Sequence, residues 1–324
     1  MRFVKSLLPV IGLALLAYLL WKIGITKIIQ SFAHANYILI WVSFLIFIPI
    51  ILIQTAKWSY ILKKQGISLR FKDLLGIHVI SLFYESVTPA RIGYFMKIAY
   101  LQQRLKSVGR AASSVIIDRA LDFISVAILA FFGSLVVMQK YSDTFYISLI
   151  ILLIFIIGFL VILSKNRTRF FARFFYRILI PAKMKENAKN SFDEFYKTIP
   201  SKKSIIALFF MTLVFWIIVY SQAYMIARAF SLNIPYLRFL VLFPISIIVG
   251  LIPITISGFG ARELVLVKLM EQFGKQESIV SFSVTWAFLS LVVFSTIGLS
   301  LIFREQLKSK GAANKNLEGE KRKS

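Results

Sequence analysis

Six stretches of this chain run close to twenty apolar residues each, and that length limits what the molecule can be. They are residues 6–21, 37–56, 115–138, 145–163, 204–227 and 278–303. A hydrocarbon core about 30 Å thick is crossed by roughly 20 helical residues. No water is available there, so a crossing segment must satisfy its own backbone as a helix or close into a barrel. None of the six shows the residue-by-residue alternation of a barrel strand. Hydrophobic residues make up 58% of the chain, more than a water-soluble domain carries without large exposed apolar patches. The expectation is an all-α integral membrane protein with about six spanning helices. Arg2 and Lys5 precede the first run, as in a secretory leader. The cleavage-like Ala33-His34-Ala35 lies about a dozen residues beyond that run, too far for processing, so the segment reads as a retained span.

Two segments between these runs are apolar but broken. Residues 74–84 and 92–101 flank Thr88-Pro89-Ala90-Arg91-Ile92-Gly93. Residues 239–256 and 264–273 flank Ser257-Gly258-Phe259-Gly260-Ala261-Arg262-Glu263. Each piece is too short or too interrupted to cross alone. Irregular backbone at membrane depth persists only when packed in protein or lining a wet cavity. Both segments therefore read as re-entrant helical hairpins. The order span, span, hairpin, span then occurs twice, with about fifty residues from Tyr37 to Thr88 and again from Ser204 to Thr255. Three true crossings per half make the second half upside down, an inverted repeat of halves about 1–140 and 141–305. Interrupted helices in inverted repeats mark transporter folds. The competing reading is eight or more plain spans with coincidental spacing.

Charge sets the expected orientation, because lysine and arginine collect on cytoplasmic loops. The formal net charge is +25. With the N-terminus inside, Lys57, Lys63, Lys64, Arg70 and Lys72 fall on one cytoplasmic connection. Loop 165–203 adds eleven basic residues and the chain from Arg304 seven, against scattered charges such as Lys27, Lys140, Arg238 and Lys275 opposite. The chain reads as one transmembrane domain, 1–305, in a plasma (inner) membrane with both termini cytoplasmic. Residues 306–324 read as a basic, disordered tail. Within the loop, Arg169, Arg173 and Arg177 form a stripe opposite Phe171, Phe174, Phe175 and Ile178. Such a helix lies in the interface plane and favours anionic lipid.

The two hairpin tips carry the clearest chemistry. Pro89 removes a donor and disfavours helix at Thr88, while Gly93 permits close approach. Arg91 stands beside the freed N–H groups of a half-helix start, which favours anions. The second tip repeats the arrangement, with Ser257, Gly258 and Gly260 followed by Arg262 and Glu263. A lipid phosphate is the natural anion in this setting, and a guanidinium matches it bidentately. Alternatively, Arg91 and Arg262 snorkel, or pair with Glu85 and Glu263 to hold the fold; Glu85, near the first tip, fits either a ligand or a structural role. Asp118, Arg119 and Asp122 begin an otherwise apolar helix, the two aspartates sharing a face. Intramembrane charges are functional or paired, so these either serve a ligand or join their helix to Arg91 or Arg110. His78, on an apolar run, reads as a packed, hydrogen-bonded side chain. Cysteine is absent and only His34 and His78 are present, so no metal site, cofactor or catalytic residue is assigned. Phosphate-loop, dinucleotide and nucleophile-elbow motifs are absent as well. The longest hydrophilic segment, under about 40 residues, is short for a domain that folds alone.

These motifs resemble a known family. Thr88-Pro89-Ala90-Arg91-Ile92-Gly93 and Ile117-Asp118-Arg119-Ala120-Leu121-Asp122 resemble the P-x-R-x-G and E-R-x-x-D elements of the lysylphosphatidylglycerol synthase transmembrane region. The run from Pro253 to Glu263 is similar to its P-x-S-x-G-G-x-G-x-R-E element, and Lys57-Trp58-Ser59-Tyr60-Ile61-Leu62 to R-W-x-x-L-L. Tyr94 stands where an acid commonly follows the first tip, Asp118 replaces Glu, and Ser257 replaces a Gly. The resemblance implies a flippase-like domain moving anionic or modified phospholipid, or polyprenyl-linked lipid, between leaflets. It implies no nucleic-acid partner for this region; in full-length relatives a separate soluble domain transfers the aminoacyl group from charged tRNA, and this chain leaves no room for it. Two alternatives stand beside the translocase: an intramembrane lipid-modifying transferase using Asp118, Asp122 or Glu263 as base, and a membrane partner of a separate lipid glycosyl or aminoacyl transferase.

Overall fold

The computed structural model describes residues 18, 21–88, 91–139, 142–170, 185–251 and 260–321, with backbone alone at 185, 251 and 305–321. The described residues are helical, without strands. After α1 (Ile25–Ala33), α2 (Tyr37–Leu45) and α3 (Phe47–Lys64) join at Ile46 into one candidate span, Tyr37–Lys64. Then come α4 (Phe71–Val87), a short 3-10 turn (Ile92–Phe95), α5 (Met96–Leu105), α6 (Val108–Val137) and α7 (Ser142–Ile162). The second half holds α8 (Lys185–Lys197), α9 (Lys202–Ala229), α10 (Tyr236–Leu251), α11 (Ala261–Met270) and α12 (Gln276–Lys321).

Five of these helices are long and apolar enough to cross a membrane: Tyr37–Lys64, Val108–Val137, Ser142–Ile162, Lys202–Ala229 and Gln276–Arg304. They coincide with five of the six runs read from sequence. The run at 6–21 lies outside the described residues except for Tyr18 and Trp21. Helix starts follow local chemistry. Asn36 Oδ1 accepts from Ile38 N and Leu39 N, Ser107 Oγ from Arg110 N, and Ser201 Oγ from Ser204 N, each satisfying donors that a helix start leaves open. α12 continues past Arg304 to Lys321, into the residues read as a tail.

Both broken segments are pairs of helices separated by an interruption, and the members of each pair pack on one another. Small residues bring the larger helices together. A Cβ on Gly133 of α6 would lie 1.7 Å from the carbonyl oxygen of Val241 in α10. With Ala127 and Ala130 buried on the same stretch, this is the close, small-residue contact that helices use in lipid. Gly298 of α12 similarly leaves room for Phe83 of α4. One apolar core gathers around Trp58, Leu74, Tyr94 and Val115, and a larger one around Tyr220, Phe239, Phe243, Phe282 and Trp286. Outside them, α8 is fixed to the start of α6, where Gly109 abuts the backbone of Ser191 and Ser107 Oγ donates to Glu194 Oε2 at 2.6 Å. Lys165, 2.8 Å from Asp193, holds that carboxyl below the usual carboxylate range. Of the basic stripe only Arg169 is described; Arg173 and Arg177 and the four apolar residues opposite lie outside.

One expectation is corrected. Lys57 is not a loop charge. α3 runs on to Lys64, and a helical rise of about 1.5 Å per residue carries Lys57 inside, where it is fully buried.

Candidate functional site

At the first break α4 ends in Thr88, whose backbone is extended, and Arg91 takes a left-handed conformation with φ 55° before the 3-10 turn. Thr88 Oγ1 donates to Tyr84 O at 2.7 Å and accepts from Gly93 N at 2.7 Å. Gly93 lies against α4 so closely that a Cβ would fall 2.1 Å from the Tyr84 carbonyl. Only glycine allows that approach. Pro89 lies outside the described residues.

At the second break, Gly260 has φ 87° and opens α11. Glu263 folds back so that Oε2 accepts from Gly260 N at 2.6 Å, as an acidic residue in the first turn of a helix does. Its Oε1 accepts from Arg262 and from Ser283 Oγ of α12, the latter at 2.8 Å. Arg262 also donates to Ser283 Oγ at 3.1 Å and to Ser283 O at 3.2 Å. Ser257 and Gly258 lie outside the described residues. At both breaks, then, a backbone donor of the kind expected to meet an anion is already taken, Gly93 N by Thr88 and Gly260 N by Glu263.

Asp118 and Asp122 lie well inside α6, about 15 and 21 Å along it at the standard helical rise. Lys57 Nζ sits between them, 2.9 Å from Asp118 and 2.7 Å from Asp122. Lys97 approaches Asp118 at 3.3 Å and donates to the Tyr94 hydroxyl at 2.8 Å, while Tyr94 in turn bonds Asp118. Lys97 is further enclosed by the rings of Trp58 and Tyr94, at 4.7 and 4.1 Å from their centroids, a favourable setting for a desolvated cation. These four charges balance and are buried. The carboxylate commonly found after the first tip is replaced by Tyr94, whose hydroxyl reaches Asp118.

Arg119 points elsewhere. Its guanidinium reaches Glu85 Oε1 at 3.0 Å and packs on the rings of Tyr94 and Phe123. Arg91 approaches the same carboxylate oxygen at 3.8 Å. Arg91, Arg119, Glu85 and Arg262 all line one cavity of about 130 Å³, together with Gln54, Ser86, Gln222 and the aromatic rings of Phe47, Phe215, Trp216, Trp286 and Phe294. Its walls come from α3, α4, α6, α9, α11 and α12, so both halves of the chain contribute. For scale, an engineered apolar cavity of about 150 Å³ holds benzene. The space fits a phosphate group, not a whole lipid. Phe215 separates the cavity from the lysine–aspartate cluster, with Lys57 Nζ 5.6 Å from its ring centre.

The structure thus gathers Glu85, Arg91, Arg119 and Arg262 at one cavity. It sets Asp118 and Asp122 behind it and uses Glu263 to hold Arg262. The aspartates pair with Lys57 and Lys97 rather than with Arg91 or Arg110. Lys57, Lys97 and Ser283 were missed by sequence reasoning. The two lysines were detectable, since two aspartates one turn apart in an apolar helix demand a cation and both lysines lie in apolar runs. Nothing marked Ser283. His78 is buried and hydrogen-bonded to Gln54 at 3.1 Å, as its apolar surroundings implied.

Comparison with known proteins agrees with this architecture. A UPF0104 membrane protein of Methanocaldococcus jannaschii is 24% identical over 92% of this chain and 94% of its own length. One from Pyrococcus horikoshii is 24% identical over 93% and 97%, and one from Methanothermobacter thermautotrophicus 22% over 88% and 89%. The family described as the lysylphosphatidylglycerol synthase TM region matches residues 7–298. This multi-pass membrane protein therefore belongs to the lysylphosphatidylglycerol synthase TM region family.

Proposed function

We propose that the protein is a lipid translocase in which the arginine-lined cavity receives a headgroup phosphate. The observation that carries this reading is the meeting of Arg91, Arg119 and Arg262 at one cavity walled by both halves of the chain, with Glu85 the only carboxylate among its described lining residues. Guanidinium groups in a desolvated, aromatic-walled space bind phosphate strongly, because water does not compete for the same donors. Headgroup and tails divide between protein and bilayer: the cavity is too small for acyl chains, and the neighbouring face of α12, with Phe288 and Val292 exposed, is apolar.

In this reading the two broken helix pairs are re-entrant hairpins, entering from opposite sides in an inverted repeat. The basic loops and both termini face the cytoplasm of a plasma (inner) membrane. Rocking of the two halves exposes the cavity to each leaflet in turn, and a lipid-modifying enzyme acting before or after transport is a natural partner. A transferase mechanism is less well supported. Its bases would be Asp118, Asp122 and Glu263, each held by a cation within hydrogen-bond reach, and none of the three is among the cavity's described lining residues.

Reconstitution in liposomes with labelled phospholipid in one leaflet tests the proposal. Arg91→Ala is expected to slow exchange about tenfold, the loss that follows from about 1.4 kcal/mol of phosphate contact. Its thermal midpoint in detergent should stay close to that of the wild type. Wild-type vesicles exchanging lipid no faster than Arg91→Ala vesicles would remove the translocase.

A further inference from the structure

Resting on that reading, we infer that the cavity selects a phosphate bearing one negative charge, a phosphodiester, and that Glu85 sets this selection. The argument is the charge balance of the lining. Arg262 is neutralised by Glu263, which it contacts through two of its nitrogens. Behind Phe215, Lys57 and Lys97 balance Asp118 and Asp122. At the cavity wall, one carboxylate serves two guanidiniums: Glu85 Oε1 lies 3.0 Å from Arg119 and 3.8 Å from Arg91. The surplus is a single positive charge, on the Arg91 side, where the contact to Glu85 is longer than a hydrogen bond. Among the described side chains the carboxylates that could cancel it are accounted for, since Glu85, Asp118, Asp122 and Glu263 are the buried acidic residues there; the acidic side chains left undescribed are Glu305, Glu318 and Glu320, all at least 11 residues along the chain from Phe294, the last of the described lining residues.

In a desolvated site a ligand restores neutrality at least cost, because every uncompensated charge interacts at low effective dielectric. A phosphodiester supplies one negative charge. A phosphomonoester carries about −1.5 to −2 near neutral pH and would overshoot, as would a diphosphate. The same carboxylate that orients Arg119 therefore lowers the site's capacity from two negative charges to one.

The test measures binding of short-chain phosphatidylglycerol and short-chain phosphatidic acid to the purified full chain in neutral detergent. Wild type is expected to prefer the phosphodiester by at least about tenfold, a conservative figure for a one-charge mismatch at an effective dielectric near 20. In Glu85→Gln, which keeps the shape and removes the charge, the preference should invert to phosphatidic acid by a similar factor. An affinity ratio unchanged from wild type overturns the inference. Should Glu85→Gln fail to fold, Arg91→Gln carries the test: it brings the surplus to zero, and both lipids should lose about tenfold in affinity, while undiminished binding of either overturns it. Deacylated glycerophosphoglycerol separates a lipid from a soluble ligand. If it binds as tightly as the lipid, charge selection stands and the lipid translocase falls. If vesicles exchange lipid while the Glu85→Gln ratio is unmoved, the translocase stands and charge selection falls.

Discussion

Arg91 and Arg262 line the same cavity, Arg91 within the first break and Arg262 just after the second, yet they are held in opposite ways. Arg262 is 2% exposed and fixed by Glu263 and by both oxygens of Ser283. Glu263 also closes the start of α11 through Gly260 N. Arg91 keeps about a fifth of its side chain exposed, meets one carboxylate at 3.8 Å, and sits on a left-handed backbone. Similar motifs thus yield one arginine built into the fold and one left adjustable beside it. A translocase needs both kinds: a fixed wall, and a cation able to follow a moving phosphate.

The sharpest way to break the contrast is to remove the partner on the fixed side. Glu263→Ala removes the carboxylate from a buried guanidinium and reopens the start of α11, so it should cost about 3–5 kcal/mol, the range for breaking a buried pair by losing one member. Thermal unfolding in detergent checks this. A midpoint close to that of Arg91→Ala would show that the two arginines are held alike. Next in size is Gly93→Ala. The added Cβ would fall 2.1 Å from the Tyr84 carbonyl, forcing the 3-10 turn off α4 at a cost of about 1–3 kcal/mol, as for overpacked sites. Gly76→Ala, on α4 itself with nothing within 4 Å of its Cβ, is the control and should be neutral or slightly stabilising. Equal midpoints for the two alanine variants would mean that the first break is not closed as tightly as described.

Much of this arrangement was legible in the residues themselves. Length and hydropathy located the spans because a bilayer imposes one length on every crossing helix. Pro, Gly and charge located the breaks because backbone interruptions need those residue types. The charge partners were not legible. Asp118 and Asp122 announced a need for a cation, but periodicity along α6 cannot say which lysine comes to meet them, Lys57, 65 residues before Asp122, or Lys97, 21 before Asp118. Lys57 was hidden by the assumption that a span ends at its first charge, whereas α3 carries it inside because the aspartates compensate it. Arg119 stands about 100° round the helix from Asp118, but periodicity does not say that Glu85 and the cavity are what it meets there. Ser283 carries no signal of its own; its role exists only once α12 lies against α11.

The smallest expected effect separates backbone from side chain at the adjustable arginine. Arg91 has φ 55°, a conformation that costs a residue with a Cβ roughly 1–2 kcal/mol, and the cost is tolerated where a functional group must be aimed. Arg91→Gly and Arg91→Ala remove the same guanidinium, and both should lose lipid exchange to the same extent. Glycine alone relieves the strain, offset in part by its greater freedom when unfolded. The glycine variant should therefore be more stable than the alanine variant by up to about 1 kcal/mol, a difference independent of whatever the Glu85 contact contributes because both variants lack it. Equal stabilities would mean that residue 91 leaves the left-handed region in the membrane. The first tip would then lose the backbone geometry that aims its guanidinium at the cavity, and with it the feature that distinguishes it from the second.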